Sequence, residues 1–254
     1  MTFVRKGGTS MHATPRATLV PLVLAILAAS PLGAAAAPPT EIRLGKASAP
    51  APKADPVQIR AVERFFTARQ SAGMDRSRLP AARAMVTGGA AMDAAILAGA
   101  PGQVLVAFDF TDGAIERLGN GRFRVAVYSL FADRQGRVVE SRDEVLTFAA
   151  PMCTSLKVAG TMHWGTEEVT KAASRLHVSQ ALDRADEFLQ GWATRQTRFA
   201  AYSIEDVYPT AVNRVMIPCL QFSATPGKRG YDVVDAPIMI RRASKGYQIE
   251  AQAN

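Results

Sequence analysis

The sequence is poor in the residues and motifs from which most enzyme active sites are built. It holds 2 Cys and 3 His among 254 residues, and it contains no H-E-x-x-H, no C-x-x-C and no close Cys/His cluster, which argues against a zinc site. No G-x-S-x-G or S-x-x-K motif offers an activated serine. Gly119 and Gly121 lack the third glycine of a dinucleotide fingerprint, and Gly227-Lys228 lacks the upstream glycine of a phosphate loop. We therefore expect no metal and no cofactor, and these gaps favour a binding module over an enzyme.

Acidic residues are absent from the first 36 positions, which read as an export signal. An apolar run covers 18–27 behind basic residues, and the alanines at 34–36 form a small-residue cleavage site. This pattern predicts that residues 1–36 are a signal peptide and that the protein is periplasmic or secreted. The Ala- and Arg-rich composition indicates a bacterial source. Met11 is an alternative start to Met1, and an uncleaved membrane anchor is the alternative to cleavage.

Long apolar runs are also missing after residue 36, so no further segment is long enough to cross a bilayer. Removing residues 1–36 takes away three basic residues and no acidic ones, which lowers the formal net charge from +8 to +5. Residues 37–56 carry five prolines among alanines and lysines. Because proline fixes the backbone and little here can be buried, we predict that 37–56 is an extended tether.

After the tether, the hydrophobic pattern alternates between the helix period and the strand period. Apolar residues recur at helical spacing from Val57 to Phe66, and strand-like alternation begins at Phe123. The same order then returns, with a helix around 179–192 followed by strands between 200 and 251. We predict an α+β fold with helices packed on antiparallel sheets, built as two consecutive units of helix plus four strands. The predicted units are 57–165 and 166–254.

Cys153 and Cys219 are the only cysteines. An even number in an oxidising compartment favours one disulfide between them. It closes a loop of roughly 65 residues and contributes about 4 kcal/mol in the chain-entropy picture. Two buried free thiols in separate strands are the alternative.

Basic residues are concentrated at the start of the folded part. Six arginines lie between Arg60 and Arg83, against only Glu63 and Asp75. Arg60 and Arg64 are four residues apart and therefore neighbours on a helix. They are candidates for binding an anionic partner such as a lipid headgroup or a polysaccharide, and a solvated helix face is the alternative. Nucleic acid is not expected as a partner, because no basic strand is interleaved with aromatic residues.

Three residues are the candidates for proton transfer: His163, Asp235 and Glu140. His163 ends a predicted strand, where a structural histidine is the alternative. Asp235 lies among valine and alanine residues, where a buried acid needs a partner. Glu140 alternates along one strand face with Arg142 and Glu144, a pattern typical of a solvated sheet face with cross-strand ion pairs.

Two functions are the main candidates at this level, and envelope scaffolding through the proline-rich tether is a third. The first is an exported, non-catalytic binding module that acts through a sheet face or the Arg-bearing helix, with a protein or an anionic envelope component as partner. The second is a cofactor-free enzyme with an acid/base pair in a pocket between helix and sheet. The second requires two of the three candidates to lie within hydrogen-bond reach in one pocket. The sequence indicates neither the ligand nor the oligomeric state.

Overall fold

The computed structural model describes residues 54–87, 93–196 and 199–252, with side chains to residue 250. The predicted signal peptide at 1–36 and residues 37–53 of the predicted tether lie outside the described residues, so export and cleavage stay predictions. None of the described helices combines the length and the apolar character that a bilayer crossing needs.

The first helix, α1 (Pro56–Met74), begins where the sequence predicts. The Asp55 carboxylate accepts a hydrogen bond from the Val57 backbone N–H at 2.8 Å, and a proline occupies the first turn, where no donor is needed. The apolar side of α1 faces the first sheet, with Phe65 and Phe66 fully buried. A 3-10 turn and two short helices follow: Arg76–Arg78, α2 (Leu79–Ala84) and α3 (Ala94–Ala98).

The first sheet has five antiparallel strands rather than the predicted four. They are β1 (Gln103–Asp109), β2 (Ile115–Gly119), β3 (Arg122–Asp133), β4 (Val138–Ala149) and β5 (Met152–His163). The order across the sheet is β1-β3-β4-β5, and β2 also pairs with β3. Phe123 of β3 stacks on Phe148 of β4 with ring centroids 5.0 Å apart, and Phe65 of α1 packs edge-on against Phe148. The predicted alternation therefore places one face of this sheet against α1.

The second half begins with two helices and continues in two further antiparallel sheets. The helices are α4 (Glu167–Arg175) and α5 (Ser179–Thr194). The strands are β6 (Phe199–Ile204), β7 (Tyr208–Ala211), β8 (Arg214–Ile217), β9 (Cys219–Ala224), β10 (Asp232–Asp235), β11 (Ile238–Ala243) and β12 (Gly246–Gln252). One sheet has the order β10-β9-β6 and the other the order β12-β11-β8-β7. Helices and antiparallel sheets together confirm the predicted α+β class.

Seven strands replace the predicted four here, because three of the predicted strands are each divided by a kink. Pro218 separates β8 from β9, and Pro237 lies between β10 and β11. Proline has no N–H for the ladder, so each run leaves one sheet and continues in the other. The third division is between β6 and β7, where the Glu205 N–H donates to the Pro218 carbonyl at 2.9 Å. The kink between β6 and β7 therefore lies next to the kink between β8 and β9.

The core consists of three hydrophobic clusters. The first lies between α1 and the first sheet, and the second lies between the helices α4 and α5 and the strands after them. The third contains residues of both halves, including Leu130 and Val138 of the first sheet and Phe222 of β9. The predicted boundary at 165/166 falls between β5 and α4, and the division into two units stays a prediction.

The expected disulfide is not formed, because Cys153 and Cys219 are both free and are buried in different clusters. The Cys153 thiol donates to the Ser155 carbonyl at 3.3 Å, and the Cys219 thiol donates to the Ala236 carbonyl at 2.8 Å. Burial raises the pKa of Cys153 to about 11 and that of Cys219 to about 12. The alternative of two buried thiols in separate strands is the arrangement that the structure shows.

Candidate functional site

The strand β5 is the outermost strand of the first sheet, and along most of its outer edge no neighbouring strand is found among the described residues. It pairs with β4 on its inner side. On its outer side, a second segment reaches it only at Cys153, which exchanges backbone hydrogen bonds of 2.9 and 2.8 Å with Met85 and Thr87. Beyond that point, residues 157–163 have no strand partner on the outer side among the described residues. Backbone N–H and C=O groups on such an edge can pair with an added strand.

The same stretch of β5 is exposed on both faces of the sheet. Six of its seven residues are exposed and Gly160 is half-buried. Val158 is 38% exposed and Met162 is 52% exposed, so this edge carries apolar side chains as well as free backbone groups. The register with β4 skips Ala159, which forms a β-bulge. Bulges often re-aim strands beside binding sites.

A cleft of about 260 Å³ opens at the C-terminal end of β5. One wall comes from the end of β5 and the residues after it, a second from the start of β4, and a third from the end of β6 and Glu205. The lining residues are Arg137, Val138, Met162, His163, Trp164, Gly165, Thr166, Ser203, Ile204 and Glu205. Met162 and His163 therefore belong both to the exposed stretch of β5 and to a concave site with apolar and polar walls. We call residues 157–163 and this cleft together the β5 site.

The charged groups of the cleft are not equally neutralised. Arg137 forms an ion pair with Asp186 of α5, which also accepts the Tyr202 hydroxyl at 2.8 Å. Burial lowers the pKa of the Arg137 guanidinium, but the attraction of Asp186 and the hydrogen bonds with Tyr202 and Asp186 outweigh it, so the pKa of Arg137 is raised overall. Glu205 is exposed and accepts a short hydrogen bond from the Ser203 hydroxyl. No cation among the described residues pairs with Glu205.

The three predicted acid/base candidates do not converge. His163 is exposed and lines the cleft. Glu140 is the register partner of His163 on β4, but its carboxylate is buried and is paired with the Arg142 guanidinium. Asp235 is exposed on β10, in a different sheet, and does not line the cleft. The Ser203 hydroxyl in the same cleft donates to Glu205, so its proton is not directed at His163.

The face of Glu140, Arg142 and Glu144 is buried, which corrects the prediction of a solvated sheet face. Glu144 accepts two hydrogen bonds from Arg69 of α1, at 2.6 and 2.7 Å, and one from the Ser129 hydroxyl at 2.7 Å. Arg142 lies over the Phe131 ring, 4.3 Å from its centroid. The alternating charges of β4 were interpreted as a solvent-exposed face because Arg69, which pairs with Glu144, is distant in sequence.

The sequence did contain a signal for this covering arginine. Arg69 follows Val62, Phe65 and Phe66 at the spacing of one helix face, and a charged residue on an apolar face requires a buried partner. Both buried arginines also hold α3: Arg69 donates to the Leu97 carbonyl at 2.7 Å, and Arg142 donates to the Ile96 carbonyl at 3.1 Å. These two ion pairs are buried and connect the first sheet to α1 and α3, so their role is structural.

The candidate binding residues Arg60 and Arg64 are exposed on α1. They line a smaller cleft of about 190 Å³ with Ala150 and Pro151 of the β4–β5 turn. Neither has an ion-pair partner among the described residues. Of the other four arginines of this run, Arg69 is buried, Arg76 donates to the Gly99 and Ala100 carbonyls, Arg78 pairs with Asp75, and Arg83 is exposed in α2.

No group of three or more His, Cys, Asp or Glu side chains converges as a metal site within 54–87, 93–196 and 199–252. Neither a protein-family model nor a curated protein matches the chain. Among solved structures, an "Ntf2 like protein involved in plasmid conjugation" has 10% sequence identity and a TM-score of 0.20, with 77% of this chain and 92% of that chain covered. At that TM-score the similarity carries no argument about this chain.

Proposed function

We propose that this chain is an exported binding module that captures an extended segment of a partner protein by adding it as a strand to β5. The observation that carries the proposal is the outer edge of residues 157–163, which has no strand partner among the described residues, is exposed on both faces and shares Met162 and His163 with a cleft. The export part of the proposal is supported by the signal-like pattern at 1–36.

Strand addition uses the two features that the β5 site combines. Backbone hydrogen bonds to the free edge supply affinity, and pockets for alternate side chains supply specificity. Seven residues of extended strand span about 23 Å. Each hydrogen bond formed contributes about 1 kcal/mol net. A segment paired along this length reaches the cleft at its end, where one side chain enters.

The backbone character of this binding is tested with N-methylated peptides. Peptides of 12 residues are selected from a displayed random library on the purified chain, and the tightest binder is labelled for fluorescence anisotropy. Alternate residues of a strand direct their N–H groups to opposite sides. N-methylation of one alternate set should weaken binding at least about tenfold, and methylation of the other set should leave it unchanged. Equal effects of the two sets contradict strand addition.

The location of binding is tested by hydrogen exchange and by substitution. Bound peptide should slow amide exchange in 157–163 and leave β10 unchanged. The double variant Val158→Lys/Met162→Lys places charges on the exposed side chains of the edge, as natural edge strands do to prevent pairing. The matched control, Val233→Lys/Val234→Lys, alters two exposed valines of the edge strand β10. Equal weakening by both variants, or a dimer formed through β5 that excludes peptide, overturns the proposal.

A further inference from the structure

The cleft at the end of β5 carries one negative charge that the described protein leaves without a counter-ion. The Arg137 charge is balanced by Asp186. The Glu205 carboxylate receives only the Ser203 hydroxyl as a described partner. The next residue, Asp206, lies outside the cleft lining, and its carboxylate accepts a hydrogen bond from the Val207 N–H at 2.7 Å. Glu205 is therefore the one carboxylate of the cleft lining, and it has no cationic partner among the described residues.

The rest of the lining mixes apolar side chains with Arg137, which is paired with Asp186, and with His163, Thr166 and Ser203, and the apolar side chains supply much of its surface. These apolar side chains are Val138, Met162, Ile204 and the Trp164 indole. The Trp164 ring is held in place by an edge-to-face contact with Phe222, with centroids 6.1 Å apart, and its N–H donates to the Ser141 hydroxyl at 3.0 Å. A pocket with apolar sides and a carboxylate at one wall matches a side chain that has a long aliphatic stem and a cationic head.

Other side chains fit this pocket less well. An acidic side chain brings a second carboxylate towards Glu205, and like charges at close range repel. An apolar side chain removes water from Glu205 without replacing it by a partner, which costs free energy. A lysine or arginine side chain buries its stem against the apolar walls and supplies the missing counter-ion.

We propose that the cleft at the end of β5 binds a lysine or arginine side chain of the captured segment, with Glu205 as the specificity-determining residue. This inference rests on the proposed function, because the segment paired with β5 delivers the side chain to the cleft. The partner is thereby defined as a protein with an extended segment that carries a basic residue.

The test is a double-mutant cycle between Glu205 and the peptide. The probe is the tightest library peptide, and its variants replace each Lys or Arg in turn with norleucine, which keeps the apolar stem and removes the charge. One replacement should weaken binding to the unmodified protein about tenfold. The same replacement should change binding to Glu205→Gln by less than about twofold. The control Asp206→Asn alters the neighbouring carboxylate outside the cleft lining and should retain the full preference.

The outcomes separate this inference from the proposed function. In one outcome, the two N-methylated peptide sets differ in affinity, but the double-mutant cycle shows no coupling between the peptide cation and Glu205. Strand addition then stands, and the proposed site for a basic side chain is wrong. If the coupling is present but both methylated sets bind alike, the basic site stands and strand addition is wrong. Selected peptides without any Lys or Arg also overturn the inference.

Discussion

Arg69 and Glu144 show how burial sets the role of a charged side chain. Both side chains are fully buried, and the Arg69 guanidinium donates to Glu144 and to the α3 carbonyls of Leu97 and Ile96. Ser129 supplies a further hydrogen bond to Glu144. The loss of water around two buried charges offsets much of their mutual attraction. The pair therefore specifies how α1, α3 and β4 fit together more than it adds stability.

Removing one member of this pair should be much more harmful than removing both. Glu144→Leu leaves the Arg69 charge buried without a partner, and we expect the free energy of unfolding to fall by about 3–5 kcal/mol. Arg69→Met/Glu144→Leu should be less destabilised than Glu144→Leu, measured by urea unfolding. The control is Arg124→Met, which breaks the exposed pair with Glu116 and should cost less than about 1 kcal/mol. A double variant less stable than the single variant contradicts this account.

At the scale of elements, the β3–β4 hairpin is fitted against α5 at its turn. Gly136 has a φ of +88°, and a Cβ added there would lie 2.7 Å from the Ala193 side chain of α5. The Gly136 carbonyl also accepts the Tyr202 N–H of β6 at 2.8 Å. The next residue, Arg137, pairs with Asp186 of α5. The turn is therefore a contact between the first sheet and the second half of the chain.

Gly136→Ala should be more destabilising than an alanine at a turn with open surroundings. Gly121 is the matched control, because it has a φ of +71° and no atom within 4 Å of an added Cβ. Both substitutions carry the cost of a left-handed backbone, and only Gly136→Ala also overpacks α5. We expect the free energy of unfolding to fall by about 1–3 kcal/mol more for Gly136→Ala than for Gly121→Ala. Equal losses in denaturant unfolding would show that the turn has room against α5.

The elements also show which parts of the fold are readable from the sequence. The start of α1 and the strand alternation from Phe123 are local patterns, and both were predicted. The division at Pro218 was missed because apolar and β-prone residues continue on both sides of it. Whether such a run remains in one sheet depends on its partners, which are distant in sequence.

The candidate site was predicted only in part for the same reason. His163 was identified from its residue type, and the structure places it in the cleft. Glu205 was missed because no local pattern distinguishes it from a surface glutamate. The free edge of β5 depends on which strand is outermost, and strand order is a property of the whole sheet. The burial of Glu140 was not predicted because α1 and α3, which cover this face of β4, come from much earlier in the chain.

At the scale of the whole molecule, the two halves of the described chain share a core. The third cluster joins Val106, Leu130 and Val138 of the first sheet to Ala201 and Phe222 of the second half. The ion pair between Arg137 and Asp186 crosses the same boundary. Neither half can separate without exposing apolar surface that the other covers.

We therefore expect the two predicted units to unfold together. Scanning calorimetry of the chain should show one transition, with a ratio of calorimetric to van't Hoff enthalpy near one. Phe222→Ala removes the largest buried side chain that the second half contributes to the shared cluster, and we expect it to lower the midpoint temperature. Two resolved transitions in the unsubstituted chain would show instead that the units are thermodynamically independent.

The distance in sequence between the members of the buried ion pair has a consequence for the order of folding during synthesis. Arg69 and Glu144 are 75 positions apart. The ribosome therefore completes α1 well before it adds the carboxylate that makes burial of Arg69 favourable. Until β4 has emerged, docking of α1 would leave an uncompensated cation in the interior, so we expect this helix to stay undocked and its phenylalanines to remain accessible to chaperones during synthesis. We therefore expect the first hydrophobic cluster to form late in folding, because it depends on contacts between residues that are distant in sequence.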